Sequence, residues 1–325
     1  MSVLLALLLT PGASVAFGIV IFVVLAIRRL TRLRGADALV QLPRSGQVRT
    51  VRWVARGGGW SAVLIFAIGA LVQARVLSYP EIAWWRYAAP LVAAVASVVA
   101  IVILLTIWAS TSVAPFISIR RRTWFGFGSP RRVAAASAVV AAVLITCVTA
   151  GFASSPDDLG RYTWIEFTLG DSAPMKSTFF GWAFGLPVIV VISVLAALTF
   201  WALNANAVRP FTSAALEAQE ARDRSAIAGL VVHLVTATGL LTLGAAWQLI
   251  GDAGLASSGG IGSDVGELAI QPPYGAIAPL IVGIGFLIQS TAVASLLLIG
   301  FATATATAST KESASKPVSN QAVAR

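Results

Sequence analysis

Few residues in this chain are of a type that does chemistry. The chain holds one histidine, His233, and one cysteine, Cys147. A histidine can carry a proton near neutral pH or ligate a metal or haem iron. Two axial histidines need a second imidazole, and no second one exists. Cys147 lies inside an apolar run, so a disulfide within the chain, a thiolate metal cluster and a CxxC redox pair are excluded. It reads as a small apolar residue. No grouping of His, Cys, Asp and Glu has metal-ligand spacing. Ser263, in Gly262-Ser263-Asp264, lacks the surroundings of a serine nucleophile. Arg56-Gly57-Gly58-Gly59 has neither the Lys-Ser/Thr nor the preceding strand of a phosphate-binding loop. No catalytic, cofactor-binding or metal-binding residue is expected, and the chain is read as a non-enzyme.

His233 keeps one candidate role. It falls in the apolar stretch Ala226–Ile250, sharing a helical face with Gly229, Thr236 and Leu240. Gln289 lies midway along Ala276–Ala302, beside Gly285 and Ala292. These two stretches are joined by one loop and run antiparallel, so a His233–Gln289 hydrogen bond is expected, with small residues letting the backbones approach. A gating or proton-sensing role would need a second ionisable partner, which neither stretch supplies. Gly181 and Gly185 form a GxxxG pattern suited to close helix packing.

What must position these residues is a membrane bundle. Of the 325 residues 58% are hydrophobic and 11% charged, against about 25% charged in a typical soluble domain. Mean hydropathy is +0.86. Lipid can solvate such a surface where water cannot. A spanning helix takes about 20 apolar residues, and seven stretches qualify: 3–27, 60–77, 87–108, 133–153, 179–203, 226–250 and 276–302. The first resembles a signal peptide, with Ser14-Val15-Ala16 as a cleavage site. No Lys or Arg precedes it, however, and its apolar run continues to Ile27, so it is expected to stay as a helix. No Asp, Glu or Lys lies inside any span. Coupled transport through a buried carboxylate, and a retinal Schiff base in the last helix, therefore have no carrier.

The net charge of +10 is read as positive-inside loops and not as a nucleic-acid surface. The connections after helices 1, 3 and 5, with the C-terminal tail, carry 19 of the basic residues against five acidic ones. The other side carries four basic residues against eight acidic. An all-α, seven-span bundle with the N-terminus outside and the C-terminus inside follows. Residues 1–303 form the membrane domain and 304–325 a disordered cytoplasmic tail. Arg outnumbers Lys 20 to 3, which with the Ala, Val, Leu and Gly content fits a high-GC bacterial genome and a plasma-membrane location.

Outside the spans, Val48–Arg56 reads as a basic segment on the headgroups, amphipathic or an ordinary anchoring loop. Ser213–Arg224 reads as a helical cap on helix 6. Arg161–Leu169 alternates like a strand, which Leu268–Gln271 could pair. The motif V-x-P-F-x-S occurs at Val113–Ser118 and Val208–Ser213, each just past a helix end. With prolines at 90, 187 and 279, it raises the possibility of three repeated helix pairs. Two functions fit this inventory. One is a non-catalytic accessory or scaffold subunit with a membrane protein partner. The other is a small uncoupled permease or channel lined by Gln73, Thr236, Thr238, Thr242, Gln248 and Gln289.

Overall fold

A computed structural model describes residues 11–35, 45–76, 85–110, 127, 129–167, 175–209, 211, 216–255, 258–259, 269–270 and 273–314. Seven helices run through them: α1 (Pro11–Gly35), α2 (Gly46–Val76), α3 (Trp85–Ser110), α4 (Pro130–Phe152), α5 (Trp182–Val208), α6 (Glu217–Leu255) and α7 (Ala278–Ala314). Six of them, α2 to α7, are long and apolar enough to cross a membrane. The apolar part of α1 within the described residues, Gly12–Arg28, is shorter. The fold is all-α, and the chain is a multi-pass membrane protein by the length and composition of these helices.

The helix α6 is the centre. It packs against α2, α3, α4, α5 and α7, and its buried residues, including Ile227, Val231, Leu234, Val235, Leu241 and Ala245, cover most of its circumference, leaving a narrow outward stripe with Ser225 and His233. A helix enclosed this far needs no broad polar face. It also needs small residues where its neighbours come close. A Cβ on Gly244 would stand 2.7 Å from the Gly285 carbonyl and 2.9 Å from Gln289 Cβ. One on Gly251 would stand 2.5 Å from Val282 Cγ2. The α6–α7 seam is therefore backbone against backbone, a packing that dispersion and weak polar contacts drive within lipid. The outer helices turn large side chains outward, such as Leu71, Ile145, Val190 and Leu280.

Four sequence expectations change. Val48–Arg56 is helical and amphipathic, with Val48, Val51 and Ala55 fully buried, but it is neither a separate segment nor a loop: α2 begins at Gly46 and continues unbroken. Those apolar positions keep the helical period of Ala62 and Phe66 beyond them, so the arginines interrupt the hydropathy and not the helix. In the same way, Glu217–Arg224 is the first two turns of α6 and not a separate cap. α7 runs to Ala314, so residues 304–314 of the expected disordered tail are helical; 315–325 lie outside the described residues. The fourth concerns the strands. β2 (Tyr162–Phe167) pairs with β1 (Ser155–Pro156) and β3 (Met175–Thr178), all antiparallel. The segment expected to pair with it supplies β5 (Ala269–Ile270), which pairs with β4 (Ser258–Gly259) instead. Chain proximity decides both pairings, since each sheet closes within its own interhelix connection.

The turn between β1 and β2 is built by Asp157. Its Oδ1 accepts from the Leu159 and Arg161 amides at 2.9 and 2.8 Å, and its Oδ2 from Arg161 Nε at 2.8 Å. Gly160 closes the turn at φ 74°, a conformation that favours glycine. Burial works against the Asp157 charge, but these hydrogen bonds and the Arg161 charge outweigh it and hold the carboxyl below its ordinary range. The first V-x-P-F-x-S copy, 113–118, lies outside the described residues. The pairs α2–α3, α4–α5 and α6–α7 each pack together.

Candidate functional site

Arg86 opens α3 and is 5% exposed. Its guanidinium lies 5.9 Å from the Phe66 ring centroid and 5.4 Å from that of Tyr87. It bonds the Tyr87 side chain and is electrostatically coupled to Asp252 on α6, with no direct ion pair formed. Gly69 on α2 faces the aliphatic part of this arginine, where a Cβ would stand 3.2 Å from Cγ. Tyr87 in turn meets Phe180 and Phe184 edge-on at 5.1 and 5.4 Å. Four residues after Arg86, Pro90 lacks the amide that would bond the Arg86 carbonyl. The neighbouring Tyr87 carbonyl accepts from Thr242 Oγ1 on α6 at 3.3 Å.

From Asp252 a line of polar groups descends into the bundle. Gln248 lies one turn below it on α6, Gln289 lies on α7 against Gly244, and the next residue, Ser290, has its carbonyl against Gly18 of α1. Arg86 Nε, Asp252 Oδ1, Gln248 Nε2, both amide atoms of Gln289 and Ser290 Oγ are buried with no hydrogen-bond partner. Gln289 and Ser290 are fully buried. A polar group left unbonded in an apolar interior costs on the order of 1–3 kcal/mol, so this column carries a standing cost, as do Asn206 Oδ1 and Arg209 Nη1 at the basic end.

The expected His233–Gln289 bond is absent. Gln289 faces Gly244, eleven residues from His233 and about 16 Å along the helix. His233 instead bonds the Ser295 backbone and lies exposed on the outside of the bundle. The glycine seam sets this register: α6 and α7 slide until Gly244 and Gly285 face one another. Gly185 packs on Cys147 of α4, 3.3 Å from its carbonyl by the Cβ measure. Gly181 caps α5 and sits against the Tyr162 carbonyl and Ser154, a helix-to-sheet contact. Cys147 is buried and free.

The threonines of the expected pathway bond main-chain carbonyls. Thr236 and Thr238 donate to carbonyls of their own helix, Val232 at 2.8 Å and Leu234 at 2.9 Å. Thr242 is engaged by α3, and the Gln73 side chain lies outside the described residues. What the sequence reading missed is Arg86 with Asp252. Each lay just beyond a predicted span, on the same side and with opposite charge, which was the available signal.

A second polar centre lies at the basic end. Arg224 on α6 is fully buried, with its guanidinium 3.9 Å from the Phe211 ring centroid and 5.5 Å from that of Phe127. It donates to the Ala207 carbonyl at 3.2 Å and reaches Glu220 at 3.7 Å, while Asn206 Nδ2 donates to the Arg224 carbonyl at 2.9 Å. This centre ties the end of α5 to the start of α6. Among the described residues, no group of three or more His, Cys, Asp or Glu could hold a metal ion. Compared with family models, with curated proteins and with solved structures, the chain matches none.

Proposed function

We propose that this chain is a non-catalytic integral membrane component, an accessory or scaffold subunit that works by association within the bilayer. The supporting observation is α6, enclosed by five neighbours, with its threonine hydroxyls turned to main-chain carbonyls and its glycines closing the seam with α7. Such a centre is organised for packing. The basic bias of alternate connections supports an N-terminus outside and a C-terminus in the cytoplasm, and the composition fits a bacterial plasma membrane. In-cell cross-linking of the tagged protein, followed by purification and mass spectrometry, tests this. One stoichiometric membrane partner is expected. A partner-free protein would overturn the subunit reading.

The unbonded amides of Gln248 and Gln289 favour a second reading, a small uncoupled permease. In it the present structure is a closed state, and a polar solute or water would meet these amides when the α6–α7 seam opens. Flux of small neutral solutes into proteoliposomes, lost in Gln248→Leu and Gln289→Leu, would favour it over the first.

A further inference from the structure

The basic end carries a surface feature that neither reading uses. Contacts between helices fix the relative heights there. Arg132, in the first turn of α4, lies across α6 at Gly229, where a Cβ would stand 3.3 Å from its Nη1. His233 follows Gly229 by one turn and bonds the Ser295 backbone of α7. Gly59 of α2 faces the neighbouring Leu296 carbonyl, so the exposed Trp60 stands level with His233. Asn206 meets Arg224, so on antiparallel α5 the exposed Trp201 stands level with Gly229. Tryptophans gather at the interface between headgroups and acyl chains. Two of them, on different helices, put the membrane boundary at Arg132 and His233.

At that boundary Arg131 and Arg132 are exposed, and neither has an ion pair among the described residues. The acidic groups nearby are turned elsewhere: Glu220 to Arg224, with Glu220 and Asp223 also facing Arg209. The first turn of α4 holds no acidic residue, and its N-cap Ser129 makes no side-chain cap bond. The positive end of that helix dipole therefore adds to the two guanidinium groups. His233 differs from the arginines. One ring nitrogen faces the Ser295 carbonyl, which turns the other to the exposed edge, where the imidazole form accepts a hydrogen bond.

We infer that Arg131, Arg132 and His233 form a binding site for an anionic phospholipid with a hydroxyl-bearing headgroup, seated where α4 crosses α6. The arginines take the phosphodiester, whose two free oxygens suit the planar fork of guanidinium donors. His233 accepts from the headgroup hydroxyl, and the outer faces of α4 and α6 carry the acyl chains. A cluster of basic groups between spanning helices is a recurrent way to hold anionic headgroups.

The test uses the full-length protein in nanodiscs of phosphatidylcholine with graded phosphatidylglycerol, read by native mass spectrometry of retained lipid. The parent protein is expected to retain phosphatidylglycerol in preference to phosphatidylcholine. The double variant Arg131→Gln/Arg132→Gln is expected to lose that preference by about tenfold or more, as two surface charges predict. Arg49→Gln, an exposed arginine at the same end, is expected to keep it. His233→Leu is expected to bind phosphatidylglycerol and phosphatidic acid alike. Equal retention of the neutral lipid by the parent, or equal losses in the Arg49 and Arg131/Arg132 variants, would overturn the site. Either result is independent of whether a protein partner exists.

Discussion

The two buried arginines face opposite circumstances. Arg224 is enclosed by two aromatic rings, a carbonyl and a carboxylate, all from the segments it must join. Arg86 has aromatic neighbours too, but its Nε, the Asp252 oxygen it is coupled to, and the amides beneath them are left without partners. The first arrangement is a structural tie. The second holds unmet bonding capacity in the interior, which stability alone does not select for. Burial of a charge therefore does not mark function; the two cases differ in the bonds that Arg224 makes to the Ala207 carbonyl and to Glu220, which Arg86 has no equivalent of in Asp252.

The largest effect should come from breaking the tie. Arg224→Leu is expected to lower stability by about 3 kcal/mol, from a lost buried cation–π contact and lost charged hydrogen bonds. Thermal unfolding in detergent checks this; an unchanged transition would remove the contrast. Gly244→Ala comes next. Alanine ordinarily favours a helix over glycine by about 1 kcal/mol. Here its methyl meets backbone, so a net loss of roughly 2 kcal/mol is expected. Gly57→Ala, with open space around it, should be neutral or stabilising in the same assay. Gln289→Leu sharpens the other side of the comparison. If the unbonded amide is a standing cost, this variant gains about 1 kcal/mol. A loss of stability would mean that the amide is satisfied in a state other than this one.

The smallest effect lies in the β1–β2 turn. Asp157 titrates lower in the folded protein than in the unfolded chain, so its contribution is fully present above about pH 4, the ordinary Asp value. It is lost as the pH falls through the depressed folded value. The protection of the Leu159 and Arg161 amides, their exchange relative to an unstructured chain at the same pH, should fall over that acid range, and Asp157→Asn should flatten the dependence. Protection that stays constant with pH in the parent would remove Asp157 as the organiser of the turn.

Much of the helical framework was legible because lipid imposes a plain rule on span length and apolarity. All seven helices lie where apolar runs were read. Their ends were not legible. Helix 2 was started at Trp60 and helix 6 was closed at Ile250, because arginines and Asp252 were read as loop. Hydropathy measures where lipid begins, whereas a helix continues as far as its hydrogen bonds and packing allow. That same shortening hid Asp252, and with it the Arg86 site. The His233–Gln289 pairing failed for a different reason. Antiparallel neighbours fix which helices meet, but the register is set by glycine-to-glycine fit, which single-helix patterns do not reveal.

The central position of α6 also bears on how the molecule is made. Among the described residues it is the sixth of seven helices in chain order, yet five others close around it. Helices α2 to α5 must wait in the bilayer with an unfilled cleft between them, open to lipid, until α6 arrives and α7 seals its remaining side. The last hairpin thus acts as the keystone of assembly. A chain truncated before Glu217 should present its degradation machinery with an open bundle and not a smaller finished one.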